Sequence, residues 1–203
     1  MKKVLLTAAL VMVATSAFAS NIAGTKHNLR STGGSAQKGT SDEICRYCHT
    51  PHNAPTAVPL WTRAAVTVST KYASPTLNAT VGNPAGISLL CLSCHDSNIN
   101  AQVADASITL GAALGSTKQI NDATTGMNND HPVSFTYDGT LAGNDGALVT
   151  PVGGKVGGTL PLFGAGADQL ECASCHSVHD NTNSPFLRVA NTGSALCLTC
   201  HSK

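Results

Sequence analysis

Residues 172–179 read CASCHSVH and residues 194–201 read SALCLTCH, and each has a counterpart earlier in the chain, CRYCHTPH at 45–52 and SLLCLSCH at 88–95. The eight cysteines therefore form four pairs, Cys45/Cys48, Cys91/Cys94, Cys172/Cys175 and Cys197/Cys200, each followed at once by a histidine: His49, His95, His176 and His201. C-x-x-C-H is the spacing at which haem c is attached. Positions three and four apart share one face of a helical turn, so both thiols can bond the haem edge while the imidazole meets the iron. The chain has only eight histidines in 203 residues, so chance does not put one behind all four pairs. A zinc knuckle needs four converging donors. Neither a thioredoxin-like thiol pair nor a disulfide framework explains a histidine after every pair. Four covalently bound haem c groups are the expected cofactors.

Working outward, the order is the same in both halves: a lone histidine, then C-x-x-C-H-x-x-H, then L-C-L-x-C-H. His27 opens the first half and His131 the second. This is a duplicated two-haem unit. Its expected bounds are 20–96 for the N-terminal unit and 97–203 for the C-terminal unit, the latter carrying a long loop-rich insert over 97–171.

Once the motif histidines are assigned, His27, His52, His131 and His179 remain, as many as there are vacant axial positions. They are the expected distal iron ligands. Methionine is the other common sixth ligand, but Met1 and Met12 fall in the leader and Met127 alone is left, so His/Met ligation is open to one haem at most. His52 and His179 each lie three residues past a histidine already on the near face of their own haem. They must reach a neighbouring haem, which draws two porphyrins together. His131 precedes Pro132, which favours an extended backbone, so it reaches its iron from a loop. His27 lies between Gly24 and Gly34 in a flexible-looking stretch and is free to serve its own chain or a neighbouring one.

Residues 1–19 carry Lys2, Lys3, an apolar run from Val4 to Val13 and Ala17-Phe18-Ala19, the pattern of a secretory signal peptide. The run is too short to span a bilayer, and no later segment approaches the roughly 20 apolar residues of a transmembrane helix. Export to the periplasm, the cell surface or the exterior is expected. Without the leader, acidic and basic residues nearly balance, which gives no footprint for nucleic acid. Haem propionates would turn this near-neutral chain mildly acidic.

Aromatics make up 4% of the chain and charged residues 11%, and Gly, Ala, Ser, Thr and Asn fill the stretches between motifs. Such a chain has little apolar area to set against its conformational entropy. The expected fold is mostly irregular coil wrapped around a haem stack, with short helices at the motifs and a few short strands. Val133-Ser134-Phe135-Thr136-Tyr137 alternates as a strand does, and the pairs Gly153-Gly154 and Gly157-Gly158 mark turns around another extended piece. Trp61 and Tyr72 are expected to cover haem edges.

The chain resembles the doubled-C-x-x-C-H multihaem cytochromes of metal-reducing bacteria, including outer-surface tetrahaem cytochromes that polymerise into conducting filaments. The likeness rests on KHNLRSTGG from Lys26, EICRYCHTPHNAP from Glu43, PLWTR from Pro59, SPTLNAT from Ser74, LCLSCHD from Leu90, NDHPVSFTYD from Asn129 and ALCLTCHSK from Ala195. The resemblance implies bis-His ligation, a continuous haem stack and a distal histidine donated across a subunit boundary, for which His27 is the candidate by position.

The expected function is electron transfer, not catalysis, because saturated irons bind substrate poorly. Partners would be other cytochromes, extracellular electron acceptors or further copies in a filament. The alternatives are a soluble periplasmic shuttle and a small multihaem reductase, which needs one open iron and a shaped pocket.

Overall fold

A computed structural model describes residues 22–52, 54, 60–63, 66–68, 70–96, 108–111 and 114–202. The leader at 1–19 and the start of the expected C-terminal unit at 97–107 lie outside the described residues. Most of the described chain is irregular, with short helices and two-residue strands between.

Three of the four α-helices of the described residues carry C-x-x-C-H cysteines. Helix α1 (Gly86–Leu92) holds the first cysteine of the second motif and buries Ser88 and Leu92, one helical turn apart. Helix α3 (Cys172–Cys175) is the third motif and α4 (Ala195–Cys200) the fourth, whereas the first motif sits on a 3-10 turn, Ile44–Tyr47. Helix α2 (Gly139–Asp145) has no cysteine and is fixed by its ends. Asp138 accepts from the Leu141 N–H at 2.8 Å, a side-chain N-cap. Gly146, at φ 70°, closes the other end in the left-handed conformation that glycine allows.

Strand β1 (Phe135–Thr136) pairs antiparallel with β4 (Gln169–Leu170), Phe135 opposite Leu170. The alternation expected over 133–137 holds at Phe135 and Tyr137, which are buried, and at Thr136, which is exposed. The regular strand is shorter than that stretch because Ser134 adopts φ 60° and turns its hydroxyl to the Glu171 carboxylate. Strands β2 (Lys155–Val156) and β3 (Leu160–Pro161) form a second antiparallel pair. All four glycines flanking β2 have φ between 55° and 71°, which a two-residue hairpin turn with both central residues left-handed requires. The Thr159 N–H closes one turn on the Val156 carbonyl at 3.2 Å, and Lys155 closes the other on Val152.

The apolar interior is divided. The largest cluster joins Phe135, Tyr137, Leu141, Val156, Leu160, Leu162 and Leu170, so the stretch expected to be a loop-rich insert contains most of the packed core. Tyr47, Ile108 and Leu110 form a second cluster against Cys48 and Cys94. Val66, Leu92 and Met127 form a third, and Met127 there serves as packing.

Candidate haem-binding site

The four motifs share one backbone bond. The N–H of each motif histidine donates to the carbonyl of the first cysteine of its pair: His49 to Cys45 at 2.8 Å, His95 to Cys91 at 3.0 Å, His176 to Cys172 at 3.1 Å and His201 to Cys197 at 2.9 Å. A single helical turn thus brings both thiols and the imidazole to one side, whether it belongs to a longer helix or stands alone as at Cys45. An open groove lined by Cys45, Arg46, His49, Thr50 and Pro51 flanks the first motif.

All eight thiols are free. Burial pushes Cys48 up to about 12 and Cys200 up to about 11. Cys91 is raised first by the hydrogen bond it shares with the Cys172 thiol and then by burial. Protonated thiols are poor nucleophiles, so these three gain little reactivity from their surroundings in the folded chain.

Among the described residues, six of the eight histidines lie in ring pairs. Two imidazoles on opposite faces of one metal, with bonds of about 2 Å and ring centres about 1 Å behind the nitrogens, stand roughly 6 Å apart. His27 and His95 are 6.1 Å apart between ring centres, His49 and His179 6.3 Å, and His131 and His201 6.5 Å. Each pair joins one motif histidine to one of the extra four, and the spacing between ring centres is compatible with two imidazoles on one iron. Zinc would need sets of three or four donors, and among the described residues no group of three or more His, Cys, Asp or Glu converges on a metal position.

Second contacts orient the rings. Nδ1 of His95 lies 2.9 Å from the Lys118 carbonyl, Nδ1 of His131 2.9 Å from that of Pro132, and Nδ1 of His176 3.1 Å from that of Pro185. A carbonyl at Nδ1 requires its proton there and leaves Nε2 as the lone-pair donor for a metal. The sequence offers no signal for these contacts, since any residue can supply a carbonyl.

His27 stacks on Phe186, ring centres 4.6 Å apart. Burial, and then the neighbouring His95, His176 and His179, bring its pKa down to about 4, so the ring is neutral at physiological pH, the form that binds metal. The stretch around it is held in place: the Asn28 side-chain amide donates to the Ala23 carbonyl at 2.6 Å, and the Gly39 N–H donates to the Leu29 carbonyl at 2.8 Å. His131 lies outside helix and strand beside Pro132, and Tyr72 lines a small pocket with it. Trp61 packs edge-on against His49 at 5.8 Å and donates its indole N–H to Ser93 at 2.9 Å. His52 and His176 are exposed.

The same C-x-x-C-H geometry thus recurs on four turns. Residues 165–203 match the family model described as doubled CXXCH motif, a span that takes in the third and fourth motifs. The match supports the multihaem c-type cytochrome family and indicates covalently bound haem c. No curated protein matches the chain.

Proposed function

We propose that this is a tetrahaem c-type cytochrome that carries electrons through bis-His haems and passes them outward, after export, to other cytochromes or to an extracellular acceptor. The observation that carries the reading is the opposition of His27 to His95, His49 to His179 and His131 to His201 at 6.1, 6.3 and 6.5 Å. Haem c would supply a one-electron ferric/ferrous couple at each motif. The chain's part would be to hold the cofactor through Cys45/Cys48, Cys91/Cys94, Cys172/Cys175 and Cys197/Cys200, and to offer histidines to the iron. Carbonyls at Nδ1 fix three of these imidazoles, His95, His131 and His176, and such second contacts tune a metal site. Two nitrogen ligands without methionine favour a low potential.

In this reading His27 serves its own chain, opposite His95. A filament, where copies assemble into one, then grows by packing of protomers, and His27 is not the link. No helix of the described residues is long and apolar enough to cross a membrane, which is compatible with export.

Intact mass of the exported protein should show four haem additions, and low-temperature paramagnetic resonance of the oxidised protein should show low-spin iron alone. Fewer additions, or high-spin iron at equilibrium, removes the proposal. One observation favours a small multihaem reductase as a second reading: among the described residues no ring pair places an imidazole opposite His176. A reductase would bind carbon monoxide at one ferrous haem of the wild-type protein, and the electron carrier at none.

A further inference from the structure

The described parts of the two C-x-x-C-H-x-x-H loops, 45–52 with 60–62 and 172–179 with 186–188, share one pattern of backbone bonds. In the first, the Thr62 N–H donates to the Cys48 carbonyl at 2.9 Å and the Thr50 N–H to Leu60 at 2.8 Å; in the second, Arg188 donates to Cys175 at 2.9 Å and Ser177 to Phe186 at 2.8 Å. His49 is bridged antiparallel to Trp61, and His176 to Leu187. Leu60 and Phe186, at equivalent places, share a left-handed φ of 61°. A conformation unfavourable for side chains of this kind, present at the same point of both loops, marks a duplicated structure as well as a duplicated sequence.

When two copies of one structure face each other about a two-fold axis, contacts come in reciprocal pairs: if i of one meets j of the other, j of the first meets i of the second. Half of such an arrangement is in place. His49 of the first loop faces His179 of the second with rings 28° from parallel. The equivalent of His49 is His176 and the equivalent of His179 is His52, both three residues on from their motif histidine. These two are also the histidines outside the three ring pairs of the described residues.

We propose that the two loops exchange axial ligands reciprocally within one chain: His179 binds the iron held by Cys45, Cys48 and His49, and His52 binds the iron held by Cys172, Cys175 and His176. This rests on the bis-His reading above and assigns the one ligand pair that reading leaves open. All eight histidines are then used in a single protomer, and the two haems so linked join the N-terminal unit to the C-terminal one.

Holoprotein carrying His52→Ala tests the assignment. The variant should retain four attached haems and show one high-spin haem, which binds carbon monoxide when reduced. In the nuclear magnetic resonance spectrum of the carbonyl complex, the haem that shifts should be the one whose thioether protons belong to Cys172 and Cys175. His179→Ala should shift instead the haem of Cys45 and Cys48. If alanine impairs maturation, His52→Met should put a single methionine-ligated haem, with its higher potential, at the same place. A shift at Cys91/Cys94 or Cys197/Cys200 overturns the exchange. So does a wild-type protein that gains a high-spin haem on dilution, since His52 would then come from a second copy. An open iron in the wild type at every concentration overturns the bis-His reading itself, whereas low-spin wild type with a shift at the wrong motif overturns the exchange alone.

Discussion

His27 occupies a position where charge is hard to hold, and iron gains from that. Its pKa of about 4 lies below the usual value, so the folded chain binds fewer protons here than the unfolded one between about pH 4 and 6.5, and stability from this site declines as the pH falls through that window. For ligation the same shift means weak competition from protons. In the bis-His reading the ligand opposite His95 should stay bound as the pH drops through 6.5 and leave only below about 4, because a proton must there displace iron as well, as followed by the spin state of the Cys91/Cys94 haem. Phe186→Ala strips the stacked ring from His27, reduces its burial and should move ligand release to higher pH; an unchanged release point would show that burial is not the cause. Glu171 is the other residue whose role is electrostatic. It is buried, and its carboxylate accepts from the hydroxyls of Ser88 and Ser134. Glu171→Ala leaves two buried hydroxyls without their acceptor, at a cost of about 2–3 kcal/mol, which in a chain of this size lowers the thermal midpoint by roughly 5–10 °C. A drop under about 2 °C would be too small for a shared buried acceptor.

The elements divide into those written in the spacing of the sequence and those that depend on distant contacts. C-x-x-C-H fixed the expectation of one helical turn at each motif, and all four turns form because the bond from the histidine N–H to the cysteine carbonyl is local. The turns at Gly153-Gly154 and Gly157-Gly158 were legible for the same reason, since glycine pairs permit left-handed φ at both central positions. The clamp between α1 and α3 was not legible. Ser88 accepts from the Cys172 N–H at 3.0 Å and donates to Glu171, and serine and glutamate so far apart in sequence give no sign of meeting. Nor does spacing say that His179 lies opposite His49. Spacing excludes a ligand's own haem but does not choose among the others. Within 97–171 the alternation of Val133 to Tyr137 marked one strand, but strands of two residues carry too short a period to show which segment pairs with which, as Phe135 does with Leu170. Leu60 is a further case, as nothing in a leucine announces φ 61°. Leu60→Gly should relieve about 1 kcal/mol of backbone strain and Leu60→Ile should add to it. Thermal midpoints should therefore run Gly, Leu, Ile from high to low, and the reverse order would mean the loop is not held in this conformation.

Among the described residues the buried apolar side chains fall into three clusters; the one around Tyr137 and Leu162 is built independently of the first two motifs and meets the fourth at Leu196 and Cys200. The second cluster packs directly on Cys48 and Cys94, so its integrity depends on what those thiols carry. In the tetrahaem reading, a chain short of aromatic residues could not compensate with side chains for absent porphyrins, given how small the margin between burial and conformational entropy is. Loss of haem should therefore be graded along the chain. In a variant with all eight cysteines replaced by alanine, hydrogen exchange should retain protection at the amides of Tyr137, Leu162 and Gln169, which donate to Asp168, Gly154 and Phe163 at 2.7, 2.8 and 2.9 Å. It should lose protection at Thr40, Thr62 and Gly111, whose amides donate to Thr109, Cys48 and Lys38. The expected contrast is on the order of 100-fold or more in exchange rate between the two sets, the difference between amides inside and outside a surviving cooperative unit. Equal protection in both sets would mean that the polypeptide closes its own core, and equal loss would mean that even the cluster between β1 and β4 depends on the porphyrins.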